Sequence, residues 1–404
     1  MYSKGLCFFM SKNEIIMKKV FLLLLFTNII FGQVKNPYVL IDAKMDKIPV
    51  NLSTSTDGIA KYINGNFKSE NDKTRAAFYW TASNISYDIE NIASIDFKEV
   101  SPDKIKNTVL SKKGVCIHYA EVFNDIAKKV GLKSYIVYGY TKQNGKVDVL
   151  SHAWCAVEID NTWWLFDPTW GAGYVQNKKF LKKLNNLHYK VAPSQYIATH
   201  IPFDYLWQFL NYTVTNQEFI DGKTQINKTK PKFDFVSQIE EYEKMSELDK
   251  ARTSLIRIQN NGVKNSLIQE MVQFKKSEVD AMQNNDAMEK MQAISDDYNQ
   301  AIAQFNDFIM YRNAKFKPLL PDEAIKEMIM APKQKILDCQ NRIYKIGKYN
   351  DNNLEYVKSL KKSIIDILKQ IEEQEKFVND YLSKSKSARK GMFTKVTWFG
   401  VPVN

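Results

Sequence analysis

The chain has 404 residues, 44% of them hydrophobic and 25% charged, which places it among ordinary globular proteins and excludes wholesale disorder. Only 15 Gly and 11 Pro over that length exclude a collagen-like or low-complexity chain. The formal net charge of +12 comes from Lys scattered along the sequence, and zinc-finger spacing, an RNP-like aromatic motif and an Arg-rich stripe are all missing, so nucleic acid is not an expected partner. A basic balance favours anionic envelope polymers or lipid headgroups instead, as a peripheral membrane or cell-wall contact.

From Met17 the sequence MKKVFLLLLFTNIIFGQ sets Lys18 and Lys19 ahead of an apolar run from Val20 to Phe31. That is the pattern of a signal peptide over about residues 17–33, too short to span a bilayer comfortably. Met17 is then the expected true start, and an uncleaved anchor is the alternative. In both cases the body of the protein is expected outside the cytoplasm, in the periplasm or beyond it. Loss of Cys7 with this leader leaves Cys116, Cys155 and Cys339, an odd number without a disulfide framework. No C-x-x-C pair points to a structural zinc site, and no metal or other cofactor is expected.

Residues 34 to about 60 read as irregular, with Pro37, Pro49 and a Ser/Thr cluster at Ser53 to Thr56. From Asn71 the segment NDKTRAAFYWTASNIS carries an apolar stripe of helical period through Ala76, Ala77, Tyr79, Trp80 and Ile85. A Ser-Pro-Asp turn at Ser101 to Asp103 opens a short helix ending near Leu110. Gly114 then supplies a turn, and Tyr119, Phe123, Ile126 and Val130 recur at helical spacing until Gly131. Three β-like runs follow, SYIVYGY, HAWCAVEI and TWWLFDPTW, with turns at Gln143-Asn144-Gly145 and Asp160-Asn161. Helices followed by an antiparallel meander predict an α+β domain over residues 34–235.

After about Pro231 strand signals almost vanish. Heptad-like spacing at Met291, Ile294, Tyr298, Ile302, Phe305 and Ile309, and at Val357, Leu360, Ile364, Ile367 and Ile371, predicts long helices over 236–390 in an all-α, coiled-coil-like bundle. Breaks are expected near Asn260 to Gly262, Pro318 to Pro321 and Lys348 to Asn353, and Pro332 is expected to kink or end one helix. The tail 391–404 reads as a short strand or docking segment.

Three residues carry the chemistry. Cys116 falls at a predicted helix start, where unpaired backbone N–H groups and the helix dipole favour a thiolate and can hold an oxyanion. His152 opens a strand and is the residue type that takes a thiol proton near neutral pH. Asp167 ends the next strand, placed to fix the imidazole tautomer. If Asp160-Asn161 is a two-residue turn, Asp167 lies across from Trp154, and His152 is its diagonal neighbour on the same face. A three-residue loop would put the two on opposite faces. The same alternation turns Cys155 away from His152, as a small buried hydrophobe.

The blocks RAAFYWTASNISYD, KKGVCIHYAEVFNDIAKKVGL and SHAWCAVEIDNTWWLFDPTWGAG together resemble the transglutaminase-like superfamily, in the branch of the kyphoscoliosis peptidase and cytokinesis-protein relatives. HIPFDYLWQFL, from His200 to Leu210, is similar to the extension that follows the core in that branch. The resemblance covers roughly residues 60–220 and implies a papain-like transglutaminase core, with Cys116, His152 and Asp167 at the three catalytic positions. Trp80, His118, Trp154 and Trp170 are candidate cleft residues; core packing is the alternative for the three Trp and a helix-surface place for His118. Ile117 and His118 depart from the small or acidic residues that relatives often carry after the Cys.

This resemblance implies thiol acyl chemistry on a protein or peptide amide, hydrolytic if water resolves the acyl-enzyme and cross-linking if an amine does. Hydrolysis is the expected outcome in an exported setting, and calcium dependence is not expected. The competing expectation is a non-catalytic interaction or scaffold protein of the cell envelope. The helical region then binds an envelope partner or self-associates.

Overall fold

The computed structural model describes residues 36–92, 101–393, 397–398 and 401–402. The expected signal peptide and Cys7 lie outside the described residues. Among these residues, those up to Gln238 together with Asn261–Leu267 form one compact unit, and Ile239–Asn260 with the residues from Ile268 onward form another. Composition shifts near Pro231, but the return of 261–267 to the first unit leaves no compositional mark: Asn216 holds it through its backbone N–H to Asn261 O and its Nδ2 to Gly262 O, at 3.2 and 2.7 Å.

The stretch expected to be irregular is largely helical. It holds α1 (Val39–Met45), a 3₁₀ turn at Val50–Leu52, and α2 (Thr56–Asn66). The Ser/Thr cluster is not a loop but a helix start: the Ser55 hydroxyl accepts the Gly58 N–H, and Ile59, Ala60 and Ile63 enter the core. α1 is held by a tertiary contact that no local pattern announces. The buried Arg75 guanidinium forks onto both Asp42 oxygens at 2.7 Å. The same guanidinium lies over the Tyr38 and Tyr189 rings.

Arg75 belongs to α3 (Glu70–Asn84), capped by Ser69. Then come β1 (Ser86–Tyr87), α4 (Ser101–Ser111), β2 (Lys113–Gly114) and α5 (Cys116–Lys129), which ends at Gly131 with φ +90°. The meander follows as β3 (Ser134–Gln143), β4 (Lys146–Ile159) and β5 (Thr162–Phe166). Both hairpin turns have two residues: Asn144-Gly145 and Asp160-Asn161 take positive φ throughout, the type I′ geometry that matches strand twist. Because the first turn closes at Gln143 and Lys146, β4 starts earlier than its apolar run, and His152 lies within the strand rather than at its head. The added residues are mostly exposed and carry no core signal.

TWWLFDPTW is a strand only to Phe166. Asp167 instead caps α6 (Pro168–Ala172), whose first residue, Pro168, has no N–H to lose. The hairpin β6 (Gly173–Gln176) and β7 (Lys179–Lys182), α7 (Pro193–Tyr196), β8 (His200–Pro202) and α8 (Asn216–Ile220) complete the unit. The four-stranded antiparallel sheet has the order β5-β4-β3-β8. Ala153, Cys155, Val157 and Ile159 of β4 face α5 and share its core with Phe123, Ile126 and Phe166. Cys155 donates to Ala120 O at 3.3 Å, so it is a buried packing residue, and burial pushes its thiol pKa well up.

Gly139 marks a close approach between β3 and β8. A Cβ there would lie 2.1 Å from Ile201 O and 2.5 Å from the Trp154 ring. Gly139→Ala is expected to push β8 outward and destabilise the protein by about 1–3 kcal/mol, read from a urea melt followed by Trp fluorescence.

In the second unit α9 (Phe235–Lys244, of which residues 239–244 belong here) and α10 (Glu247–Asn260) precede three long helices, α11 (Ser266–Asn313), α12 (Asp322–Ile343) and α13 (Leu354–Ser383). Met291, Ile294 and Phe305 of α11, Ile325, Ile329 and Ile336 of α12, and Val357, Leu360, Ile364 and Ile371 of α13 share one buried core. The heptad-like positions therefore report core contacts. Pro332 does not end its helix: α12 runs through it to Ile343. A mid-helix Pro costs ~3 kcal/mol, and burial of Ile325, Ile329, Ile336 and Ile343 around it outweighs that loss. The tail holds a two-strand ladder, Thr397–Trp398 with Val401–Pro402.

Candidate active site

Cys116 is the first residue of α5, following the extended Val115. His118 Nδ1 accepts the Val115 N–H at 3.0 Å, so His118 closes this helix start and does not line the cleft as expected. The arrangement needs Gly114, since a Cβ there would come within 2.6 Å of the His118 Cβ. The N–H groups that open α5 therefore stand beside the sulfur.

Cys116 lies beside the His152 imidazole, near enough to help raise its pKa. His152 Nε2 lies 2.8 Å from Asp167 Oδ2, which leaves Nδ1 as the nitrogen facing sulfur. Asp167 is fully buried. Its other oxygen accepts the N–H groups of Thr169 and Trp170 at 2.8 and 3.0 Å. Burial alone would drive both charges out. It works against the imidazolium, but the Asp167 carboxylate and then Cys116 outweigh it and push the His152 pKa up to about 10. Burial likewise works against the carboxylate, yet His152 and His200 hold Asp167 far below the usual carboxylate range.

The group opens into a cleft of about 610 Å³ whose walls include Tyr87, Asp148, Leu150, Trp170, Tyr174 and His188. It runs between the β3–β4 tip and the β6–β7 hairpin. Tyr87 stays a proton donor, because burial and the negative charge at Cys116, Asp167 and Asp148 raise its pKa. A half-exposed thiol, an imidazole beside it, a buried carboxylate behind the imidazole and a cleft before the sulfur are the parts of a thiol nucleophile. Residues 57–168 match the transglutaminase-like superfamily.

The chain carries a transglutaminase-like domain.

Among curated proteins the chain is similar to the mouse (Mus musculus) kyphoscoliosis peptidase, 30% identical over 159 residues, which is 37% of this chain and 24% of that protein. It is equally similar to the human (Homo sapiens) kyphoscoliosis peptidase, 30% over 156 residues, 37% of this chain and 23% of that protein. It thus spans about a quarter of the length of these curated relatives. Among solved structures, a crystal structure of a TGase covers 41% of this chain and 40% of its own, at 17% identity and a TM-score of 0.23.

The four candidate cleft residues of the transglutaminase-like domain separate into different places. Trp170 lines the cleft, its ring centroid 5.7 Å from that of His152. Trp154 is buried beneath His152 with its centroid 6.1 Å away, a support rather than a wall. Trp80 is a core residue: its Nε1 donates to Ser53 Oγ at 3.1 Å, and Lys112 Nζ lies 4.0 Å from its ring centroid. His118 caps α5.

His200 and His188 were not legible as site residues. His200 Nε2 lies 3.4 Å from Asp167 Oδ2, and His188 packs edge-on against Trp170. The only sequence signal near either was the HIPFDYLWQFL block, which said nothing of a role for its first residue. Ligand atoms of His152, Asp167 and His200 lie within 4.8 Å of one another, but both imidazole Nε2 atoms are turned to one carboxylate oxygen.

Proposed function

We propose that the protein is an exported thiol acyl-transfer enzyme acting on protein or peptide amide bonds, hydrolytic rather than cross-linking. The reading rests on Cys116 beside His152, with His152 hydrogen-bonded to the buried Asp167, at the floor of the cleft. In the proposed reaction Cys116 sulfur, its proton held on His152 Nδ1, attacks the amide carbonyl. The N–H groups opening α5 stabilise the oxyanion. His152 passes its proton to the departing amine as the C–N bond breaks, leaving a thioester. Water then attacks the thioester carbonyl and gives a proton to His152. The C–S bond breaks, the carboxylic acid leaves, and the proton returns to sulfur. The cleft is open enough for an extended peptide, and its apolar rim at Leu150, Val175 and Leu187 favours hydrophobic side chains.

Iodoacetamide labelling at pH 7, with each modified cysteine identified by mass spectrometry, tests this. Cys116 is expected to react at least about tenfold faster than a free thiol. His152→Ala should bring it back to that level, and buried Cys155 and Cys339 should stay unlabelled in the folded protein. A wild-type Cys116 no faster than a free thiol would leave the scaffold reading in place. Export through residues 17–33 belongs to the same proposal and is checked by the intact mass of the secreted protein. Self-association or an envelope partner is the proposed role of the helical unit; sedimentation velocity of the full chain across a concentration series decides whether it self-associates.

A further inference from the structure

His200 is a titratable side chain that the proposed reaction does not use, and it is almost completely buried. It stands at the start of β8, paired with Thr141 of β3. Tyr196 stacks on its ring at 4.1 Å between centroids, while Trp170 and Trp154 meet it edge-on at 4.6 and 5.2 Å. The ring is boxed on several sides and has little freedom to turn.

Its hydrogen bonds fix its tautomer. Nδ1 lies 2.8 Å from Thr199 Oγ1, and Nε2 faces Asp167 Oδ2. An ionised carboxylate only accepts, so the proton must sit on Nε2, and Nδ1 accepts from the Thr199 hydroxyl. Burial, reinforced by the charge on His152, outweighs the pull of Asp167 and lowers the His200 pKa to about 4, so the ring is neutral over the physiological range. Asp167 then accepts four hydrogen bonds: two backbone N–H groups on Oδ1, and His152 with His200 on Oδ2. Both of its oxygens are occupied, and neither can swing away from His152.

We propose that His200 is a positioning residue that acts through Asp167, its neutral Nε2–H anchoring the carboxylate oxygen that orients His152. It makes no contact with a reacting atom. A second positive imidazole at this place would compete with His152 for one carboxylate; a neutral donor holds the oxygen and leaves the charge for His152. This rests on the thiol-enzyme reading above.

Two measurements test it. In the wild-type protein, ¹⁵N spectra of the histidine rings should show His200 neutral at pH 7 with its proton on Nε2. A charged ring, or a proton on Nδ1, overturns the proposal without needing any variant. The second compares His200→Leu with His200→Gln, whose side-chain amide restores a donor. The leucine variant should lower the His152 pKa from about 10 and slow Cys116 alkylation roughly tenfold or more, and glutamine should recover most of both. A packing defect alone would lower thermal stability in both variants and leave the His152 titration in place, and that result also overturns the proposal. Failure of the thiol-enzyme reading looks different: wild-type Cys116 itself would then react like a free thiol.

Discussion

Asp167→Asn is expected to lower turnover of a peptide-ester library by about 10³–10⁴-fold with little change in fold. The surroundings of Asp167 dictate which way the new amide points. Thr169 and Trp170 donate backbone N–H groups to Oδ1, so the amide oxygen must stay there. The NH₂ group is then forced into the place of Oδ2, against His152 Nε2 and His200 Nε2. His152 must accept on Nε2 and carry its proton on Nδ1, where it can no longer take one from sulfur.

The titration of His152 should move with this substitution. Its pKa is near 10 because Asp167 and Cys116 outweigh burial. Without the carboxylate, burial dominates and the imidazole should titrate at or below its ordinary 6.5, as NMR of the ring would show. In the wild type, the folded protein keeps a proton that the unfolded chain releases above pH 6.5. The stabilisation from this ion pair is therefore complete below pH 6.5 and fades as pH climbs through about 10. His200 acts in the opposite direction. The unfolded chain takes up a proton below pH 6.5 while the folded ring resists until about 4, so its contribution is lost as the pH falls across that interval. An Asp167→Asn protein whose His152 still titrates near 10 would contradict the cause assigned here.

Asp42→Ala should give the largest loss of stability, about 3–5 kcal/mol, because it strands the buried Arg75 guanidinium. Arg75 keeps Asn186 Oδ1, at 2.7 Å, and the rings around it, those of Tyr38 and Tyr189 being the nearest. Asp42 also holds Asn36, so the start of α1 should loosen at the same time. Replacing both partners with apolar residues, as in Asp42→Leu with Arg75→Met, should recover most of the loss, since no charge is then left buried. Urea unfolding followed by Trp fluorescence reports this unit, where Trp80 lies in the core. Equal losses in the single and double variants would mean that shape, not charge, sets the cost.

The geometry of the site is readable to the extent that it depends on local rules. Asp160-Asn161 is a two-residue turn, Asp167 falls opposite Trp154, and His152 and Asp167 meet across one face, as turn chemistry and strand alternation require. Cys116 heads its helix because Gly114 allows the turn and the apolar spacing starts there. Where the reading failed, distant contacts decided. Arg75 and Asp42, 33 residues apart, make α1 worth forming. His200 reaches Asp167 through a strand of three residues, too short to leave a periodic trace. Trp80 and Trp170 are chemically identical in the sequence, and only their surroundings make one core and the other wall. His118 offers a ring nitrogen to a neighbouring backbone N–H, a role that competes with any part in the cleft.

The two walls of the cleft are hairpins closed by left-handed dipeptides, Asn144-Gly145 on one side and Asn177-Lys178 on the other. Neither tip contributes to the Cys116–His152–Asp167 relay. Residues at the two tips can thus be exchanged, or the tips lengthened, without touching Cys116, His152 or Asp167. Under the proposed function, selection can retune which chains are accepted while leaving Cys116, His152 and Asp167 alone, and a protein engineer has the same freedom by grafting hairpins.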